Sequence, residues 1–110
     1  MNKVVECNSF WVKIYMSGDI HLAKSVCSEF CLRGLCVNLS ETDYIYTMGS
    51  EIGFVVELIN YARFPKTNNE IVNTAQELAD LLLDRLFQGS YTLITPEKSY
   101  FVSRRKEDIG

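Results

Sequence analysis

The stretch Gly53-Phe54-Val55-Val56-Glu57-Leu58-Ile59-Asn60-Tyr61 decides the fold. It is apolar on both alternating faces, and Glu57 is its one charge. A strand has this composition when both faces are covered, or when one is covered and the other waits for a partner. The run is therefore expected to be the central strand of a small sheet. Arg63-Phe64-Pro65-Lys66 closes it, because proline has no N–H to give to a ladder.

Working outward, residues 9–16 alternate as a strand, with Phe10, Val12, Ile14 and Met16 on one side and Trp11, Lys13 and Tyr15 on the other. Ser17-Gly18-Asp19 breaks it, and Asp19 is suited to cap a helix. Ile20, Ala23, Val26, Cys27, Phe30 and Cys31 give that helix its apolar stripe, and Gly34 ends it in a left-handed cap. Leu35, Val37 and Leu39 read as a second strand, interrupted at residues 40–43 and resumed at residues 44–47. Beyond the central strand, Thr67-Asn68-Asn69-Glu70 matches a capping box. Ile71, Ala75, Leu78, Ala79, Leu82 and Leu86 follow as the stripe of a long helix that Gly89 stops. Residues 91–95 and 99–103 read as short strands around a Pro96 turn, and Arg104-Arg105-Lys106 begins a charged tail.

The helices are expected near residues 19–33 and 68–88. The order β-α-β-β-α-β with an extra C-terminal strand gives an α+β chain of the ferredoxin-like sandwich type. Its 110 residues suit a single domain, 1–110. In that arrangement the first and third strands are neighbours and both helices cover one sheet face. Trp11, Tyr15, Val55, Ile59 and Tyr61 then share the uncovered face with Lys13 and Glu57, which can pair across strands. A large apolar patch of this kind predicts a homo-oligomer meeting through those five residues.

Composition bounds the function. Net charge is −3, which opposes a general nucleic-acid grip. Residues 52–57 share only part of an RNA-recognition signature, lacking its basic residue and second glycine. No stretch approaches 18 apolar residues, so no membrane span is expected, and the start has too short an apolar run for an export signal. A reducing cytoplasm is the expected compartment.

Cys7, Cys27, Cys31 and Cys36 are then free thiols, with neither zinc nor a disulfide. Cys27 and Cys31 are expected beneath the first helix beside Phe30. Cys36 is expected on the outward face of the second strand, as the most reactive of the four.

No phosphate loop, nucleophile elbow, dinucleotide fingerprint or paired acid–base motif is present, and no cofactor is implied. The sequence therefore reads as a non-enzymatic binding or regulatory protein. The alternative is a small-molecule or nucleotide binder using Tyr44, Tyr46, Glu51 and Arg63, with its pocket where subunits meet. Arg63 offers a fork for phosphate or carboxylate. The segment Gly53 to Pro65, together with Ser90-Tyr91-Thr92, resembles small uncharacterised bacteriophage proteins. That resemblance implies a host-directed accessory role, such as binding a host protein or sequestering a defence nucleotide.

Overall fold

The structure, a computed structural model, describes residues 1–105 and 107. Five strands and two helices run in the order β1 (Trp11–Ser17), α1 (Ile20–Phe30), β2 (Asn38–Tyr46), β3 (Gly49–Ile59), α2 (Asn68–Arg85), β4 (Ser90–Ile94) and β5 (Ser99–Ser103). The strands form one sheet in the order β2-β3-β1-β4-β5, and every neighbouring pair is antiparallel. The fold is α+β, with residues 53–59 of that run inside the sheet; β3 begins earlier, at Gly49, and Asn60 and Tyr61 lie beyond its end.

Both helix starts follow from their caps. Asp19 Oδ1 accepts from His21 N at 2.7 Å. Thr67 Oγ1 accepts from Glu70 N at 3.1 Å, and the Glu70 carboxylate reaches back to Thr67 N at 3.5 Å, closing the capping box. The helices cover one sheet face. Val12, Ile14, Phe54, Val56, Leu78 and Leu82 are fully buried between the layers. Each stabilises the fold by about 1.5–3 kcal/mol.

Three boundaries differ from expectation. Residues 40–43 do not interrupt β2, which is continuous from Asn38 to Tyr46. It is an edge strand with one open face, so polar side chains cost it nothing and the apolar alternation fades. Cys36 precedes β2 instead of standing on it. Gly89 does not stop α2; the left-handed turn falls on Phe87, at φ 55°. Gly34 does end the first helical segment, at φ 94° after a short 3-10 turn. Of the charged tail, Lys106 lies outside the described residues.

The β1 ladder stops where Ser17 faces Gly53, with one further backbone bond from Gly18 N to Ile52 O at 3.1 Å, so the last residues of β2 and the first of β3 form a ladder only with each other. They form a two-stranded ribbon that projects from the body. The radius of gyration is 15.1 Å, against about 13 Å for a compact chain of this length. Ile45 and Ile52 on the ribbon are 83% and 64% exposed, and Met48 at its tip is fully so. The segment before β1, residues 1–10, is tied at Cys7 and Asn8, beside Asn60, while Val4 and Val5 stay in solvent. It leaves the outer sheet face uncovered.

A polar cluster on the open sheet face as candidate functional site

The register builds the site. Glu57 points outward from β3, with Lys13 of β1 opposite it on one side and Asn38 of β2 on the other. Lys13 Nζ lies 3.9 Å from Glu57 Oε2 and 5.3 Å from the centre of the Trp11 ring. Both charged side chains are more than a third exposed. Such a pair contributes at most about 1 kcal/mol and is free to exchange partners.

Just past the end of β3, Tyr61 turns its hydroxyl to the same cluster. That oxygen lies 3.3 Å from Cys36 Sγ and accepts from Asn38 Nδ2 at 3.3 Å. The phenol is held above its ordinary range, first by the hydrogen bond with Cys36 and then by burial, with the Glu57 charge adding to the rise. Tyr61 is thus a neutral hydroxyl at physiological pH. The cluster places a carboxylate, an ammonium, a phenol, an amide, a thiol and an indole on one face. It suits a ligand carrying both charges and a flat ring. Next to it, between the segment Gly34 to Cys36 that precedes β2, the end of β3 and the first turns of α2, lies a mostly apolar cavity of about 350 Å³. Tyr61 and Cys36 line it as well.

The other expected site residues fall at two places. Tyr44, Tyr46 and Glu51 come together at the ribbon. Tyr46 donates to Glu51 Oε1 at 3.2 Å, and Ser17 donates to Glu51 Oε2. The Tyr46 phenol is raised, chiefly by that bond to Glu51. Tyr44 is threaded into the sheet: its hydroxyl accepts from Met16 N at 3.1 Å and donates to Phe54 O at 2.6 Å, so it bridges β1 and β3. Burial pushes it up to about 12.

Arg63 lies past the far end of β3, its guanidinium 5.2 Å from the Phe64 ring. Glu51 and Ile59 alone are roughly 26 Å apart along the strand, so one chain does not bring Arg63 to the other three. Trp11, Tyr15, Val55 and Ile59 share the open face, with Trp11 facing Ile59 and Tyr15 facing Val55. Tyr61 stands at its end.

All four cysteines are free; Cys27 is buried, Cys31 half-buried and Cys36 exposed. Burial raises the Cys27 thiol to about 11. No group of three or more side chains able to hold a metal occurs among the described residues.

The Glu57–Tyr61–Asn38–Cys36 grouping was missed in the sequence, where Glu57 and Lys13 read only as an ion pair. A signal was present: a single carboxylate inside an otherwise apolar central strand.

No protein-family model and no curated protein matches the chain. Two solved structures share its fold. One is a phage SAM lyase in the apo state, at TM-score 0.71 and 12% identity, covering 87% of this chain and 90% of that one. The other is a phage SAM lyase in complex with S-methyl-5'-thioadenosine, at TM-score 0.62 and 10% identity, covering 94% and 95%. These likenesses correct the expectation of a non-enzymatic binding or regulatory protein. That expectation rested on the absence of a linear motif, and this fold carries an enzyme in both neighbours. A site assembled across β1, β2, β3 and a turn leaves no linear motif to find.

Proposed function

We propose that the protein is an enzyme that cleaves S-adenosylmethionine at its sulfonium and releases S-methyl-5'-thioadenosine. The observation that carries this is the shared fold, over nearly the whole of both chains, with a SAM lyase that holds S-methyl-5'-thioadenosine. The site chemistry agrees. The amino-acid arm of the substrate is a zwitterion, and Glu57 and Lys13 are a matching pair, the carboxylate for its ammonium and the ammonium for its carboxylate. The Trp11 and Tyr61 rings offer faces for the sulfonium or the base. As the bond between sulfur and the arm breaks, an oxygen of the arm's own carboxylate bonds to the carbon that sulfur leaves; the electron pair stays on sulfur, the sulfonium and carboxylate charges cancel, and the arm departs as a lactone. Surroundings poorer in water than bulk solvent favour that loss of charge. The role of the protein is to fix the arm and exclude water.

In the same reading the chain is a homo-oligomer. Trp11, Tyr15, Val55, Ile59 and Tyr61 form a contact face whose closure leaves the Lys13–Glu57 pair, with the bound arm, at the seam between subunits and away from bulk water, and the exposed ribbon supports a second point of contact. Subunits meeting this way bring Tyr44, Tyr46 and Glu51 of one copy toward Arg63 of another, joining ends that one chain holds apart.

The sheet order β2-β3-β1-β4, each half split by a helix, supports reading the topology as a ferredoxin-like sandwich with β5 added. The neighbours and the free thiols support a phage accessory protein working on a metabolite in the host cytoplasm.

The test is incubation of purified protein with S-adenosylmethionine, followed by chromatography and mass spectrometry of both fragments. S-methyl-5'-thioadenosine is the expected product, and Glu57→Gln lowers its formation by about a hundredfold, the scale of one preorganised charged contact. Substrate recovered intact at micromolar enzyme refutes the proposal.

A further inference from the structure

The cavity beside the cluster differs from it in chemistry, and the difference divides the substrate. Its floor is Leu35, Leu58 and the buried Ile71, and Lys66 is the one charged side chain on its wall. Neither Lys13 nor Glu57 reaches it. At about 350 Å³ it stands at the small end of ligand pockets, roughly 300–1,000 Å³. That admits one nucleoside and not a dinucleotide.

Its rim carries two rings. Phe64 N donates to Tyr61 O at 2.9 Å, and the two residues pair as an isolated antiparallel bridge. Directly opposed residues of such a pair project to the same side. Phe64 is 66% exposed, a large apolar ring left in water at the mouth of an apolar cavity. Thr74 adds a hydroxyl on the α2 wall. Tyr61 joins the two places, since it lines the cavity and its hydroxyl belongs to the Asn38 and Cys36 cluster.

We infer that this cavity takes the uncharged nucleoside half of the substrate, adenine and ribose, while the charged arm stays on the open face against Lys13 and Glu57. The inference rests on the S-adenosylmethionine reading above. The opposite placement would bury both charges of the arm among Leu35, Leu58 and Ile71, where only one cation and no carboxylate could answer them.

Calorimetric titration with S-methyl-5'-thioadenosine tests it, alongside KM for S-adenosylmethionine. Thr74→Trp fills the cavity from its wall. It weakens S-methyl-5'-thioadenosine binding by about tenfold or more and raises KM by a similar factor. Phe64→Ala removes only an exposed ring and weakens binding about fivefold or more, the range for one ring stacked on a base. It carries the test if Thr74→Trp does not fold. Wild-type affinity and KM in both variants overturn the inference while leaving the cleavage reaction standing. If the wild-type protein leaves S-adenosylmethionine intact, the parent reading fails and the titration alone decides the cavity. S-methyl-5'-thioadenosine binding lost in Thr74→Trp upholds a nucleoside pocket, and no binding by the wild type overturns it.

Discussion

Gly53→Ala tests how the ribbon is anchored to the sheet. A Cβ at position 53 would lie 2.4 Å from Met16 O, 2.5 Å from Tyr44 Cε2 and 2.9 Å from Ser17 Cα. Two of those atoms are β1 backbone, so the clash is relieved only if β1 and β3 part or Tyr44 swings out. Overpacking of this kind costs about 1–3 kcal/mol. Displacing Tyr44 forfeits two hydrogen bonds, each worth about 0.5–1.5 kcal/mol, and its edge-on contact with Tyr15 at 6.5 Å. The lower unfolded-state entropy of alanine offsets about 0.4–1 kcal/mol. The net expectation is a loss of about 2–3 kcal/mol, or roughly 10 °C in Tm. Urea unfolding followed by circular dichroism reads it, at one fixed protein concentration, because association shifts apparent stability. In a Tyr44→Ala background the same substitution costs less by about 1 kcal/mol, since one clashing partner is gone. A Gly53→Ala protein as stable as wild type refutes the reasoning, and strict additivity in the double variant refutes the part played by Tyr44.

Two further outcomes are expected. Met48→Asp or Ile59→Asp lowers the sedimentation coefficient to that of a smaller species without changing the circular dichroism spectrum; a wild-type protein that already sediments as a monomer at high concentration removes the oligomer proposal. Stability falls as pH rises above about 10, the ordinary phenol value. Burial holds Tyr44 up to about 12 and, aided by the Asp80 bond, raises Tyr91 further, so above pH 10 the unfolded chain releases protons that the folded one keeps. Tyr91→Phe flattens that decline, and tyrosinate absorbance equal to all six phenols appearing near pH 10 with the fold intact refutes it.

The sequence carried the layered part of the fold well. Period-two runs at Val12, Ile14 and Met16 and at Phe54, Val56 and Leu58 are the two most buried strands, where both the ladder and the helix layer enforce alternation. Thr67 and Glu70 marked a helix start because two side chains must satisfy backbone amides at a fixed spacing. Legibility failed where those constraints relax. Ser40 to Asp43 sit on an edge strand whose open face accepts polar groups, so the strand hid as a loop. Phe87 holds a left-handed conformation for which no residue type in the chain gave notice, and Gly89, two residues on, drew the boundary instead.

The site was less legible, and the reason is geometric. Tyr61 meets Asn38 and Cys36 across 23 and 25 residues, a meeting fixed by the β2–β3 register that places Asn38 opposite Glu57. Had the strands slipped by one residue, Asn38 would have turned to the helix side and Glu57 would have lost it as a neighbour. That register is set elsewhere: by the tight hairpin joining Tyr46 to Gly49, and by Gly53, whose missing side chain lets Tyr44 reach the β1–β3 seam. The ribbon that carries Tyr44, Tyr46 and Glu51 therefore also acts as the gauge that aligns the cluster at the other end of β3. Changes at Gly53 or Tyr44 then disturb Glu57 chemistry without touching it, and their effect on product formation should track their effect on stability.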